Sequence, residues 1–296
     1  MASYPIMKAV EHAKLPSAFR KKYPNEIALL EAGWILQPKY DGCMGIVYLS
    51  STGRSVMRSR TDETVFSCEH IVQAVEKAAH KAGVHGDVAI IGEVWSTALA
   101  FPQISGDYRS HSPKPHLLFV MHDLVRAPGG KIADSVLPYH QRAMTLEDIF
   151  AEAALVPCID IVSDIDLYDA ESPTEVALRL QGEGGYDGAI LRDPNGTYTV
   201  GTVKKGEIVK VKPTLSLDLP VTAVQVAQGE KTGRDVYTLT VVYNGVESNV
   251  GSGVPHEREA WEGAVVEVEC LGVNPASGKL REPRYKGIRH DKLDHD

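Results

Sequence analysis

The sequence predicts an α+β fold in two domains, a larger one over residues 1–213 and a smaller all-β one over 214–296. Three observations lead there. The chain has 296 residues, enough for about two domains at roughly 150 residues each. Helical and strand-like patterns are interspersed as far as Pro213. Beyond that proline only short alternating strands remain, with almost no helical periodicity.

Taken in order, strand signals fall at 34–38 and 45–49, runs rich in apolar residues bounded by glycine turns. A helix is predicted over 69–82, where Ile71, Val72, Val75 and Ala79 share a face and Gly83 stops the run. Strands at 88–95 and 117–124 follow, then a second helix over 139–154. Ser172-Pro173-Thr174-Glu175 is a capping box with proline at the first helical position, and opens a third helix ending near Gly182. Strands at 188–192 and 207–212 complete the larger domain. Past 213, segments 221–226, 236–242 and 264–270 alternate, and Asn244-Gly245 marks a tight turn. About 80 residues of short strands fit a small barrel of the OB type.

Composition bounds the function. The chain is 43% hydrophobic and 24% charged, which suits packed cores and excludes a disordered or fibrous chain. No apolar run approaches the roughly 20 residues of a membrane span, and the N-terminus lacks a signal-peptide pattern, so a cytoplasmic protein is expected. Cys43, Cys68, Cys158 and Cys270 are scattered without a CxxC pair, which suggests reduced thiols and no structural zinc. Net charge is −8, yet basic groups cluster. Residues 279–292 hold six Lys/Arg against two acids, and Lys204, Lys205, Lys210 and Lys212 surround a single Glu207. By itself such a run reads as solvated surface; grouped cations become a phosphate footprint only with other support.

The usual phosphate loops are absent. The segment from Gly272 to Lys279 has one residue too many for a P-loop, and Leu280 stands where Ser or Thr should be. A nucleotide would therefore be held by side chains. Lys39-Tyr40-Asp41-Gly42 puts a lysine at a strand end before a glycine turn; a lysine nucleophile needs nearby cations or burial to shed its proton. Glu93 ends a strand, Asp187-Gly188 precedes another, and Lys210-Val211-Lys212 puts two lysines on one strand face. One lysine, two carboxylates and a lysine pair make a nucleotidyl-transfer site.

Their order resembles that of the covalent nucleotidyltransferase superfamily, and within it the small two-domain ATP-dependent DNA ligases of bacteriophage and viral type. Lys39–Gly42 resembles motif I (KxDG), Ser59-Arg60-Thr61 motif Ia and Ile91-Gly92-Glu93 motif III. Residues 118–124, with Phe119 and His122-Asp123-Leu124, are similar to motif IIIa. Residues 187–194 resemble motif IV, Lys210–Pro213 motif V, and 280–292 the ligase form of motif VI, LRxPR…RxDK.

The resemblance implies an adenylation domain of antiparallel sheets followed by an OB-fold domain, ATP as AMP donor, Mg²⁺ or Mn²⁺, and a monomer acting on nicked duplex DNA. Lys39, in motif I with Asp41, would attack the α-phosphate. Glu93 and Asp187 would hold the metal, Phe119 would stack on adenine, and Lys210 and Lys212 would neutralise the α-phosphate. Arg60 would meet the ribose or the nick's 5′-phosphate, and Gln37 would accept from the adenine amino group. Arg192 stands in motif IV among the nucleotide contacts. Arg289 and Lys292 would orient pyrophosphate, while Arg281, Arg284 and Lys286 would join Arg60 in binding DNA. Met44, Asp187, Arg192 and His122 replace the motifs' usual Arg, Glu, Lys and Phe. An RNA ligase or mRNA guanylyltransferase of the same superfamily, and a non-catalytic nucleic-acid-binding protein, are the rival readings.

Overall fold

A computed structural model describes residues 6–51, 53–151, 156–167, 171–202, 207–229, 233–274 and 277–292. Lys204, Lys205 and the expected helical residues 152–154 lie outside them. The chain forms two compact units, Met1–Lys212 and Pro213–Asp296.

In chain order the first unit contains β1 (Met7–Lys8), α1 (Ser17–Lys22), α2 (Glu26–Glu31), β2 (Ile35–Tyr40), β3 (Cys43–Leu49), β4 (Val56–Ser59), α3 (Glu69–Lys81) and β5 (Val88–Trp95). It continues with α4 (Phe101–Tyr108), β6 (Leu118–Arg126), α5 (Tyr139–Phe150), β7 (Ile159–Ile161), α6 (Pro173–Glu183), β8 (Tyr186–Arg192), β9 (Gly201–Thr202) and β10 (Ile208–Val211). Two sheets dominate. One runs β4-β3-β5-β6-β7, antiparallel apart from the β6–β7 edge, and the other is the antiparallel trio β10-β8-β2. The strands β1 and β9 form a short parallel pair.

Helices cover the outer faces. On α3 the stripe Ile71, Val72, Val75 and Ala79 is buried against Val47, Met57 and Ile90; each of the three larger side chains contributes about 1.5–3 kcal/mol. On α6 the capping box is closed. The Ser172 backbone N–H donates to Glu175 Oε2 at 2.7 Å, and the Glu175 N–H donates to Ser172 Oγ at 3.3 Å. Its Val176 and Leu180 pack on Leu36, Leu191 and Val209 of the trio. A further cluster joins Ile46 and Ile91 of the large sheet to Ile208 of the small one, so the two sheets face each other.

The second unit contains β11 (Leu215–Gln228), β12 (Asp235–Tyr243), β13 (Val246–Val250), β14 (Val265–Cys270) and β15 (Arg284–Ile288). They pair in the order β13-β12-β11-β14-β15, and a parallel bridge between Ser252 and Arg284 joins the two edges. That is a five-stranded OB-type barrel with its third and fifth strands meeting in parallel. Asn244 and Gly245, at φ 49° and 77°, make the two-residue turn between β12 and β13, a geometry that glycine and asparagine tolerate. Trp261, Val266 and Leu239 fill the barrel. Among the described residues no helix is long and apolar enough to cross a membrane.

Candidate active site

Lys39 reaches its position through pairing of β2 with β8, where it faces Gly188 in register. The neighbouring Asp187 is 6% exposed. Its Oδ2 accepts from Lys39 Nζ at 2.6 Å and pairs with Lys212 Nζ, also at 2.6 Å. Gly188 makes this convergence possible. At φ +132° it sits so close to β10 that a Cβ would lie 2.3 Å from the Val211 carbonyl oxygen, so only glycine lets Lys212 approach. Burial works to raise the Asp187 pKa, but Lys39 and Lys212 outweigh it and hold the carboxyl below its usual range. Two ammonium groups on one carboxylate oxygen leave an excess of positive charge that a phosphate would balance.

On the facing sheet Glu93 of β5 pairs with Met44 of β3 and Val120 of β6. Burial, opposed by Lys39 and Arg60 and reinforced by Asp41 and Asp187, pushes Glu93 up to about 7. These charges therefore form one electrostatic cluster. Asp41 is half-buried and its backbone N–H donates to the Gly185 carbonyl at 2.9 Å. The turn at Gly42 lies against β5, where a Cβ would come 2.3 Å from the Val94 carbonyl oxygen. On β10, Lys210 lies opposite Ile190 and pairs with Glu11 at 3.2 Å, while Val209 and Val211 are buried behind it. Arg60 is exposed.

A pocket opens between the two sheets, lined by Gln37, Lys39, Ile190 and Arg192 from one side and by Met44, Glu93, Val120 and His122 from the other. The expected role of Phe119 needs correction. Phe119 is fully buried in the outer core with Val94 and Ile104, facing away from the pocket. Its ring lies so close to Gly92 that a Cβ there would be 2.7 Å from it. Strand alternation sends Val120 to the pocket instead. A β-bulge then inserts an extra residue. Ile91 pairs with Asp123 and Gly92 with Met121, which makes His122 the additional one.

Behind the pocket Asp123, 1% exposed, accepts from Arg142 Nε at 2.8 Å, Arg142 Nη2 at 3.1 Å and Arg192 Nη1 at 3.0 Å. Arg192 also lies 4.3 Å from the centroid of the Tyr139 ring. Burial, with Arg192 adding to it, lowers the His122 pKa to about 4, so the ring is neutral at pH 7. Among the described residues His122 Nδ1 and Arg192 Nε are buried without a hydrogen-bond partner, two exceptions to the usual pairing of buried polar atoms. Sequence reasoning named Asp123 only within motif IIIa, without a role, and passed over Arg142. The available signal was on α5, where an arginine interrupts the inward stripe of Tyr139, Leu146 and Phe150.

In the second unit, Arg289 Nη1 donates to both oxygens of Asp218 at 3.0 and 2.9 Å, and Lys292 pairs with the same carboxylate. Arg289 also bonds Asp291 at 2.8 Å. Arg284 and Lys286 are exposed on one face of β15 while Tyr285 between them is buried. Arg281 is half-buried beside that strand.

A probable DNA ligase of Koribacter versatilis is 26% identical to this chain, over 87% of it and 54% of its own length. The DNA ligase of African swine fever virus (isolate Warthog/Namibia/Wart80/1980) is 24% identical, over 68% of the chain and 46% of its own length. The chain thus spans about half the length of the curated relatives it matches. Among solved structures, a Lig E DNA ligase described as binding DNA with a minimal scaffold superposes with a TM-score of 0.68 at 19% identity, over 95% of this chain and 99% of that one, which shows a shared fold. The model of the ATP-dependent DNA ligase domain matches residues 7–212, well over half the sequence, and the chain belongs to that family.

Proposed function

We propose that this protein is an ATP-dependent DNA ligase that seals 5′-phosphate/3′-hydroxyl nicks in duplex DNA through a lysyl-AMP on Lys39. The observation that carries the reading is the meeting of Lys39, Asp187 and Lys212 at 2.6 Å beside the pocket between the sheets. Lys39 Nζ, its ammonium protons passing to solvent, attacks the α-phosphorus of ATP; a P–N bond forms, and the bond to pyrophosphate breaks with the electron pair leaving on oxygen. Lys212 and Lys210 stabilise the charge that develops on the α-phosphate. The nick's 5′-phosphate then takes AMP from Lys39, and the 3′-hydroxyl displaces AMP to close the strand.

Glu93 and Asp187 are hard oxygen donors, and no cluster of three His, Cys, Asp or Glu side chains suited to a metal occurs among the described residues. Two carboxylates with phosphate oxygens and water fit Mg²⁺ or Mn²⁺, which would supply Lewis-acid charge neutralisation. We assign Gln37 and Arg192 to the nucleoside, Arg289 and Lys292 to the leaving pyrophosphate, and Arg60, Arg281, Arg284 and Lys286 to DNA. Phosphate contacts of this kind weaken steeply with salt.

Labelled ATP with Mg²⁺, followed by denaturing electrophoresis, tests the reading. Wild type should retain label and Lys39→Ala should lose it while still unfolding cooperatively. Label that persists in the variant would move the nucleophile elsewhere. Label from GTP, or sealing of nicked RNA in preference to DNA, would favour a guanylyltransferase or an RNA ligase.

A further inference from the structure

Gln37 is 3% exposed, and its Nε2 donates to the Tyr139 hydroxyl at 2.9 Å and to Asp164 Oδ1 at 2.9 Å. A primary amide has two N–H donors and one oxygen acceptor. Both hydrogens are therefore committed, and oxygen is what the side chain has left to offer the pocket it lines. The two partners do not constrain the amide equally. A hydroxyl donates or accepts, so Tyr139 would satisfy either end of the amide. A carboxylate only accepts, so the end that faces Asp164 must be nitrogen.

Asp164 is itself held across both sheets. The Ile165 N–H donates to the Leu36 carbonyl of β2 at 2.8 Å, and the Val162 N–H donates to the Met121 carbonyl of β6 at 2.8 Å. The segment carrying the carboxylate is thus pinned one residue from Gln37 on one side and beside His122 on the other. Gln37 and Lys39 lie two residues apart on β2, on the same strand face and about 7 Å apart along it. The amide is thereby set on the wall that leads away from the reacting lysine.

We infer that Asp164 determines which purine the protein accepts, by locking the Gln37 amide so that its oxygen faces the nucleobase. This rests on the reading of the pocket as the nucleotide site. An acceptor fixed in a pocket wall suits the 6-amino group of adenine. It opposes the 6-oxo group of guanine, where two acceptors would meet without a proton between them. Sites built to bond one polar group reject analogues that cannot supply it, because the wall atom is left unpaired. The same lock explains why glutamine suits position 37. A glutamate there would set two carboxylates about 3 Å apart, the separation of the present hydrogen bond.

Four forms of the full chain test this, each assayed for initial rates of lysyl-nucleotide formation from labelled ATP and GTP: wild type, Asp164→Asn, Gln37→Glu and Gln37→Glu/Asp164→Asn. Sealing of pre-adenylylated nicked DNA, which needs no free nucleotide, reports on folding and on the later chemistry. Asp164→Asn frees the amide to turn over, because an asparagine partner accepts or donates. The ATP:GTP ratio of kcat/KM should fall on the order of ten- to hundredfold, the cost of one mismatched buried hydrogen bond. The loss should appear in KM for ATP, with kcat and pre-adenylylated sealing unchanged. Gln37→Glu should lose ATP use and the double variant should regain it, a rescue that a merely structural role for Asp164 would not produce. An unchanged ratio in Asp164→Asn overturns the inference, as does failure of the double variant to recover. If wild type forms no lysyl-nucleotide from either purine, the ligase reading itself falls.

Discussion

Replacing His122 with phenylalanine separates two effects that the pocket wall combines, ring shape and ring charge. In the folded protein His122 Nδ1 is shut off from water without a partner among the described residues, and burial with the nearby Arg192 cation lowers the pKa from 6.5 to about 4. Asp123 opposes this shift and is outweighed. Between those two values the unfolded chain binds a proton at this position and the folded chain does not. Stability is therefore fully present above about pH 6.5 and is lost as pH falls toward 4. At about 1.4 kcal/mol per pH unit the whole interval corresponds to about 3 kcal/mol. Most of that contribution is already lost at pH 4.5, and almost none of it is lost at pH 7.5. The carboxylates titrate alike in both proteins, so subtracting one pH profile from the other isolates the imidazole. Urea titrations at the two pH values measure it. His122→Phe should gain on the order of 2–3 kcal/mol relative to wild type on moving from pH 7.5 to 4.5. Parallel profiles would show that Nδ1 stays hydrated in the native state, which would refute the burial on which the low pKa depends.

Asp187→Asn should slow lysine adenylation more than Asp187→Glu does, because the carboxylate balances Lys39 and Lys212 and is proposed as a metal ligand; equal and full rates for both would exclude that role. Phe119→Ala should destabilise by about 3–5 kcal/mol in denaturant titration. The milder Phe119→Leu should leave KM for ATP unchanged, whereas a raised KM would return the ring to the nucleotide.

The parts of the site legible in the sequence are those whose geometry is set within a few residues. Lys210 and Lys212 alternate with buried Val209 and Val211 because a strand has period two. The Ser172 box closes on Glu175 because the two are three residues apart. Phe119 was misread for an equally local reason. The run Leu118–Met121 is apolar on both faces, since β6 is covered on both, and such a run does not say which side faces a ligand. The bulge at His122 depends on register with β5, about 30 residues earlier, and leaves no mark in its own segment. The short helices α1 and α2, six residues each, are too brief for a periodicity to emerge.

In the basic segment 279–292 composition and fold give different accounts of the charge. Six cations against two acids suggest an open positive surface. In the fold, Lys286 meets Glu269 at 3.1 Å, and Arg289 and Lys292 meet Asp218, acids that lie outside the segment. Strand pairing brings those acids in, because β14 and β11 flank the same edge of the barrel as β15. A phosphate approaching these cations therefore exchanges one anionic partner for another, and the gain is the difference between two charge-assisted bonds. Exposed ion pairs of this kind are worth about 0–1 kcal/mol, so Glu269 yields Lys286 at little cost. Asp218 is only 5% exposed, is bonded by Arg289 through both oxygens and also holds Lys292, and a buried carboxylate that loses its cations is far more costly. The segment thus holds two kinds of cation. Lys286 is readily available to phosphate, while Arg289 is committed until a ligand of higher charge density competes for it.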